Sequence, residues 1–267
     1  MTIQTAVNKS NILTIAFDLI GYKEAFERIE HWRQIGERQY VALTNPHSVM
    51  LCRRNENMAH ATRNAGMILP DGIGVIVAAN LLGYANHGRA TGPTLMLKVC
   101  DWGRNKGYRH YFMGGAAGVA EKLAKQLTEK YPGLSVAGTY CPPFRKLSDA
   151  EDQAIVDRIN AAEADIVWVG LGAPKQEKWM ADHVGRIDAA AMVGVGAAFD
   201  FHSGDVKWSP PWIRRLGMEW AYRLAIEPRR MWRRNLDSPL FLGGVVIQRI
   251  TNIFRRDRSH WRPSKPR

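Results

Sequence analysis

Cysteine is scarce in this chain of 267 residues. The three cysteines, Cys52, Cys100 and Cys141, are odd in number and too widely spaced for a metal knuckle, so we expect neither a disulfide framework nor a zinc module. A secretory signal peptide is also not expected, because Asp18 interrupts the first apolar stretch. These features are typical of a protein of the reducing cytoplasm.

Long apolar runs are missing as well. The longest candidate, PLFLGGVVIQRI at 239–250, has about half of the roughly 20 residues that a membrane-spanning helix needs. We therefore expect no transmembrane segment. Hydrophobic residues nevertheless make up 46% of the chain, which is enough for a sizeable core and excludes a disordered protein.

Several common nucleotide and metal motifs are absent. The sequence has no Gly-Lys-Ser/Thr of a phosphate-binding P-loop, no Gly-x-Ser-x-Gly elbow and no Asp-x-Asp pair for a divalent metal. A dinucleotide-binding dehydrogenase normally has an acid about 20 residues beyond its glycine turn. Here the corresponding strand ends at Cys141 and Pro142. The sequence therefore favours a nucleotide site without a metal or another cofactor.

Positive charge is abundant but unevenly placed. The formal net charge is +12, and the segment 207–267 contains 15 Lys or Arg against 4 acids. Five of the nine tryptophans also lie in this segment. Tryptophan combined with arginine is typical of a surface that contacts anionic lipid headgroups or nucleic acid.

Short apolar runs alternate with amphipathic segments along the rest of the chain, which predicts an α/β fold with a Rossmann-like parallel sheet. The expected strands are NILTIAF, QYVALT, RHYFM, LSVAGTY, ADIVWVG and AAAMVGV. The two prolines of WSPPW end this alternation. We therefore predict an α/β body at 1–206, with its own core, and a helical, basic C-terminal appendage at 207–267.

Glycine-rich loops follow three of the expected strands. They contain Gly114 and Gly115, then Gly172, then Gly196 with Asp200. Backbone N–H groups between a strand and a helix can hold a phosphate, although such a turn also serves tight packing. Three such loops in one sheet favour a nucleotide site.

Asp71 stands out in the segment LPDGIGV, at the end of an apolar run. One interpretation is an N-cap of the following helix, which is a common role for aspartate. The other is a catalytic carboxylate that accepts a proton. The residues alone leave both open.

An ordered set of motifs resembles one family. The motifs are TNPHSVM, LPDGIGV, GR-x-TGP, YFMGG, GLGAPKQEKW, GVGAAFDFHSG and GMEWAYRLAIEPRRMWRR. Together they are similar to the WecG/TagA/CpsF bacterial glycosyltransferases, glycosyltransferase family 26, from about residue 12 to residue 236. The resemblance implies an inverting, metal-independent transfer of a sugar from a UDP-sugar to a polyprenyl-diphosphate-linked acceptor at the inner face of the bacterial cell membrane. It also implies an appendage that folds over the active site.

The resemblance assigns roles to individual residues. Asp71 matches the general base, Arg89 a pocket residue needed for activity, and Thr44 and Asn45 polar residues beside the acceptor pocket. Gln176 matches a donor contact. Arg223, Arg230 and Arg233 match arginines of the appendage. From the residues alone, His47 is a weaker candidate for proton transfer, and a partly buried histidine at a helix start is the alternative. Lys175 is a weaker candidate for phosphate contact, and a solvated lysine is the alternative.

The arginines suggest how a departing diphosphate is stabilised without a metal. On one helix, Arg223, Arg230 and Arg233 would share a face that can point at phosphate. Arg229 and Arg234, with Trp220 and Trp232, would then be left for other faces and for lipid headgroups. Beyond residue 237 we expect an interfacial membrane anchor, with a solvated tail or a subunit contact as the alternatives.

Three function classes follow from the sequence. The first is the glycosyltransferase, with a UDP-sugar, a polyprenyl-diphosphate-linked acceptor and the membrane surface as partners, and with a homo-oligomer left open. The second is a nicotinamide-dependent oxidoreductase, and the third is a nucleic-acid-binding protein that uses the basic segment. Of these we favour the transferase, which needs no nucleic acid.

Overall fold

The computed structural model describes residues 9–85 and 88–260, apart from the side chains of Arg230 and of residues 256–260. The basic end of the sequence, 261–267, lies outside the described residues.

The centre of the fold is a six-stranded sheet in which every neighbouring pair of strands is parallel. Its strands in chain order are β3 (Gln39–Thr44), β4 (Met67–Pro70), β5 (Arg109–Gly114), β6 (Ser135–Tyr140), β7 (Ile166–Gly170) and β8 (Ala191–Gly194). Their spatial order is β4-β3-β8-β7-β5-β6. The predicted Rossmann-like α/β architecture is confirmed.

The first apolar run does not join this sheet. We expected NILTIAF to form one strand, but it forms an antiparallel hairpin of β1 (Ser10–Ile12) and β2 (Ile15–Phe17). The chain reverses because Leu13 adopts a left-handed conformation, with φ of 56°. Asp18 then fixes the hairpin to β4, since its backbone N–H donates to Ile68 O and its carboxylate accepts from Ile68 N, both at 2.8 Å.

Helices cover both faces of the sheet, as parallel strands with nearly continuous apolar sequences require. The body contains α1 (Tyr22–Ile35), α2 (Pro46–Arg54), α3 (Glu56–Arg63), α4 (Ile73–Leu81), α5 (Gly92–Gly103), α6 (Val119–Lys130), α7 (Asp149–Ala161), α8 (Lys175–His183) and α9 (Ala198–His202), with a 3-10 turn at Arg104–Lys106. Buried residues of α1, α5, α6 and α9 pack on one face. Those of α2, α3, α4, α7 and α8 pack on the other.

The segment after residue 206 is helical, as expected. It contains α10 (Pro211–Arg215), α11 (Glu219–Ile226), α12 (Pro228–Asn235) and α13 (Asp237–His260). The first three are short, and α11 and α12 line the cleft described below. The fourth runs along α2 and α4 on the surface of the body.

Helix α13 also contributes to the core of the body. Phe241 and Val245 are fully buried in the same cluster as residues of α2, α4 and the hairpin. Gly244 allows this approach, because a Cβ at that position would lie 3.2 Å from Leu13 Cδ2 and from Arg53 Nη1. The side chain of Gln248 adds hydrogen bonds to the hairpin, to Leu13 N and Asn11 O. Residues beyond 206 therefore help to complete the core.

The outer surface of α13 exposes several apolar side chains, at Val246, Ile247, Ile250, Ile253 and Phe254, beside polar residues such as Arg249 and Asn252. Despite this, no helix among the described residues has both the length and the apolar character to cross a membrane.

Candidate active site

A cleft of about 800 Å³ lies at the carboxyl ends of β3, β4, β7 and β8. Parallel α/β sheets bind their ligands at this edge because the strand ends and the helix N-termini converge there. The appendage forms the opposite wall, through residues of α11, α12 and the start of α13. The cleft thus lies between the body and the appendage.

Asp71 lines this cleft directly after β4. Its backbone N–H donates to Thr44 O at 3.0 Å, which ties the end of β4 to the end of β3. Helix α4 begins two residues later, and its N-cap is Gly72, with φ of 88° and no side-chain cap. The N-cap interpretation of Asp71 is therefore wrong, and its carboxylate is left for the cleft.

The surroundings of Asp71 hold its proton more tightly than water would. The pKa of this carboxyl is raised to about 6, mainly by burial and next by the negative charge of Glu219. A hydrogen bond from Asn45 and the charges of Arg223 and Arg89 act in the opposite direction. The carboxyl is mostly ionised at neutral pH and accepts a proton readily, which suits a general base.

Asn45 is placed by the start of α2. It is the N-cap of that helix, and its Oδ1 accepts from Ser48 N at 3.0 Å. Because Oδ1 is engaged there, the amide nitrogen is the group that can donate to Asp71. Thr44 is buried and does not line the cleft, so its contribution visible in the structure is the backbone bond to Asp71.

The loops after β7 and β8 meet at Gln176. Gly172, Gln176 and Gly196 all line the cleft. The Gln176 side chain accepts from Gly172 N at 3.2 Å, and a Cβ on Gly196 would lie 3.4 Å from its Oε1. The carboxamide of Gln176 therefore shapes the first of these loops and packs against the second.

Three predicted donor contacts lie outside the lining of the cleft: Gly114, Gly115 and Asp200. Gly114 has a packing reason to be glycine, since a Cβ there would lie 2.6 Å from the backbone of Gly170 on the neighbouring strand. Asp200 lies on α9, and its carbonyl accepts from Val206 N at 2.9 Å. The donor role of all three stays a prediction.

The arginines of the appendage do not lie on a single helix, and that expectation is wrong. Glu227, with φ of −128° and ψ of 55°, is not helical and separates α11 from α12 just before a proline. The seven-residue spacing from Arg223 to Arg230 therefore does not place the two on one helical face, and the side chain of Arg230 is not described. Arg223 lines the cleft, whereas Arg233 is exposed and lies over the ring of Trp232, 5.2 Å from its centroid.

Arg234 lines the cleft in place of Arg233, together with Trp220. We expected both residues on other faces or at lipid headgroups, away from the diphosphate. This is wrong for Arg234 and incomplete for Trp220, whose side chain is also half exposed. Arg234, the residue after Arg233, is the one that faces the cleft, because α12 begins as a new helix at Pro228.

Arg89 connects the body to the appendage. Its Nη2 donates to the carbonyl of Arg214 at 2.5 Å and lies 3.9 Å from Glu219 Oε2. The neighbouring Ala90 N donates to Pro70 O at 3.2 Å, which places this segment beside Asp71. Arg89 is therefore not among the residues that line the cleft, contrary to its expected place in the pocket, because its side chain is directed to α10 and α11.

Sequence reasoning missed two acids that line the cleft, Glu177 and Glu219. Burial raises the pKa of both carboxyls. Gln176 Nε2 donates to Glu177 Oε1 at 3.0 Å, while Glu177 Oε2 has no hydrogen-bond partner among the described residues. Both acids belong to the matched motifs, GLGAPKQEKW and GMEWAYR, and that was the available signal.

His47 and Lys175 have different surroundings. His47 lines the cleft near the start of α2, and its Nδ1 lies 2.5 Å from Asp237 Oδ2 at the start of α13. Burial lowers the pKa of His47 despite this contact. Arg54 also contacts Asp237, at 2.6 Å, so the three residues join the body to α13. Lys175 is exposed at the start of α8 and outside the lining.

No group of three His, Cys, Asp or Glu side chains within 9–85 and 88–260 is arranged to hold a metal ion. The arginines that line the cleft in this part of the chain are Arg223 and Arg234. The cleft therefore offers guanidinium groups to an anionic ligand.

Comparison with known proteins agrees with these motifs. The model of the glycosyl transferase WecG/TagA/CpsF family matches residues 10–255. A protein of Bacillus spizizenii (strain W23) is 32% identical over 207 residues, which cover 78% of each chain. Proteins of Bacillus subtilis (strain 168) and Staphylococcus aureus (strain NCTC 8325) are 29% and 28% identical, over 86% and 91% of this chain and 87% and 94% of their own. All three are named N-acetylglucosaminyldiphosphoundecaprenol N-acetyl-beta-D-mannosaminyltransferase. The chain belongs to the WecG/TagA/CpsF family of glycosyltransferases.

Proposed function

We propose that this glycosyltransferase moves N-acetylmannosamine from its UDP conjugate to N-acetylglucosamine linked through a diphosphate to a polyprenol, with inversion at the anomeric carbon. The observation that carries the proposal is Asp71, a carboxylate with a pKa of about 6, in a cleft walled by arginines of the appendage. The sugars come from the names of the relatives. Family membership favours the transferase over the oxidoreductase and nucleic-acid alternatives.

Asp71 acts as the general base. A hydroxyl oxygen of the acceptor attacks the anomeric carbon of the donor, and its proton passes to the Asp71 carboxylate. The bond from that carbon to the diphosphate oxygen breaks, and its electron pair leaves with UDP. A single displacement of this kind inverts the anomeric configuration. Asn45, which hydrogen-bonds to Asp71, fixes the orientation of the carboxylate.

Arginine stabilises the leaving diphosphate. Arg223 and Arg234 line the cleft from two consecutive helices of the appendage. Their guanidinium groups offer paired donors to phosphate oxygens, which is how a site can stabilise this charge without a divalent ion. The glycine loops at Gly172 and Gly196 line the same space, and residues without side chains let a donor approach the backbone there.

The appendage also contacts the membrane surface. Its exposed apolar residues form a surface that we call the apolar rim: Trp212, Leu216, Trp220, Trp232, Leu236, Leu240, Ile247, Ile250, Ile253 and Phe254. Exposed arginines, among them Arg229 and Arg233, accompany them. Tryptophan, aliphatic residues and arginine together suit the headgroup layer, where the diphosphate of a polyprenol lies. With the inner-face location that family membership implies, we propose a peripheral protein on the inner face of the cell membrane.

A panel of donors and acceptors tests the proposal. The protein is incubated with labelled UDP-N-acetylmannosamine, UDP-N-acetylglucosamine or UDP-glucose and a short-chain polyprenyl diphosphate that carries N-acetylglucosamine. Label should enter the lipid fraction from UDP-N-acetylmannosamine, with a β linkage by NMR. Transfer from another UDP-sugar alone would overturn the sugar assignment but keep the class. Thermal protection by NADH or a DNA oligomer, without protection by UDP, would overturn the class.

A further inference from the structure

Glu219 is a second carboxylate in the cleft, and it comes from the appendage. It is the first residue of α11, it lines the cleft, and 21% of its side chain is exposed. Asp71 comes from the body, after β4. The two acids thus approach the same space from opposite walls.

Arg89 lies between these two walls. The hydrogen bond from Ala90 N to Pro70 O holds the Arg89 backbone beside Asp71. The Arg89 side chain is instead directed to the appendage, where Nη2 donates to Arg214 O at 2.5 Å and lies 3.9 Å from Glu219 Oε2. Gly217 makes room for it, since a Cβ there would lie 2.8 Å from Arg89 Nη1.

The charges that face the two carboxyls come from three elements. Arg89 of the loop before α5 and Arg223 of α11 act on both Asp71 and Glu219. Arg214 of α10 acts on Glu219, and Asn45 at the start of α2 hydrogen-bonds to Asp71. Two acids therefore compete for a shared set of arginines.

We propose that Glu219 is a positioning residue for Asp71: it holds Arg89 on the appendage side and places a second negative charge beside the base. The inference rests on the proposed function, in which Asp71 accepts the acceptor's proton. With Glu219 present, the ionised Asp71 carboxylate is the stronger base, because its negative charge is less fully compensated. The appendage would thus supply part of the base's reactivity, in addition to the arginines that bind diphosphate.

The physical expectation has a definite sign. A neighbouring negative charge disfavours the ionised form of a carboxyl and raises its pKa, and a neighbouring guanidinium lowers it. Glu219→Gln lowers the pKa of Asp71 in two ways. The negative charge of Glu219 is lost, and Arg89 loses its ionic partner and becomes available to Asp71. The pKa of Asp71 should then fall, and a weaker base accepts the proton more slowly.

The test is the pH dependence of kcat/KM for the wild type, Glu219→Gln and Glu219→Asp. Rates fall on the acid side when the base becomes protonated. For Glu219→Gln this acid limb should move to lower pH by roughly half a unit. The kcat above the limb should drop by about twofold to threefold, because the rate follows the basicity of the carboxylate with a Brønsted slope of at most one. Glu219→Asp keeps the charge, so its limb should stay at the wild-type pH.

Glu163→Gln is the matched control. It replaces a carboxylate that pairs with Arg109 at 2.7 Å, near the amino ends of the strands and away from the cleft. Its pH profile should be that of the wild type. UDP protection in a thermal-shift assay confirms that each variant is folded.

Two results would separate this inference from the proposed function. If Asp71→Asn abolishes turnover but Glu219→Gln leaves the acid limb in place, the positioning role is refuted and the base assignment stands. If Asp71→Asn turns over normally, the base assignment itself fails. Should Glu219→Gln be too slow for a rate profile, titration of the Asp71 carboxyl by 13C NMR gives the same comparison, with Asp71→Asn identifying the resonance.

Discussion

Two phenylalanines on α13 allow a test of whether this helix belongs to the body. Phe241 is fully buried in the core cluster, while Phe254, about three and a half turns later, is 65% exposed. Truncation of a buried phenylalanine to alanine costs about 3–5 kcal/mol, as lost transfer free energy plus the cavity that remains. An exposed substitution on the same helix costs within about 0.5 kcal/mol.

The assay is urea or thermal unfolding of Phe241→Ala and Phe254→Ala beside the wild type. For a chain of this size, 1 kcal/mol lowers Tm by about 2–4 °C, so Phe241→Ala should lose roughly 6 °C or more. Phe254→Ala should unfold with the wild type. Equal stability of both variants would show that α13 does not complete the core, and that the body is an independent folding unit, as first expected from the sequence.

Three further predictions follow from the site and the rim. Replacing Asp71 by Asn removes a carboxyl whose pKa rises from 3.8 to about 6 on folding. At pH 7.5 the variant should therefore be more stable than the wild type by about 2–3 kcal/mol in urea titrations. This gain should disappear as the pH falls from about 6 towards 4. Arg234→Ala should weaken UDP binding in calorimetry by at least about tenfold, since a charged hydrogen bond is lost. Arg233→Ala should leave the affinity for UDP within about twofold of the wild type. The reverse order would contradict the inward placement of Arg234. Changing Ile250 and Phe254 together to Ser should reduce sedimentation with anionic vesicles, and wild-type binding should weaken with added salt; salt-independent binding by both proteins would argue against the rim.

The parallel sheet could be predicted from the sequence because strands that are buried on both faces have nearly continuous apolar sequences. The hairpin could not, because NILTIAF has the same apolar character and the reversal depends on a single left-handed residue, Leu13. The position of α13 was equally hidden. It depends on Gly244, which lies at the contact with the body, and a glycine in the sequence does not show what approaches it.

The site shows a similar division. Strand-end polar residues such as Asp71 and Asn45 converge because parallel strands share one carboxyl edge, and this follows from local pattern. The positions of the appendage arginines could not be predicted from local pattern, since the break at Glu227 changes which side of the next helix faces the cleft. Glu219 could not be linked to Asp71 from sequence, because the contact joins residues about 150 positions apart through Arg89.

The most direct test of the transferase mechanism is a comparison of wild type and Asp71→Asn with UDP-N-acetylmannosamine and the lipid-linked acceptor, in buffer that contains EDTA. The wild type should release UDP and elongated lipid in equal amounts without added metal, because arginine stabilises the leaving diphosphate. Asp71→Asn should still bind UDP but turn over at least about a hundredfold more slowly, as expected for the loss of a general base. Normal turnover by Asp71→Asn, or wild-type activity that appears only after magnesium or manganese is added, would contradict it.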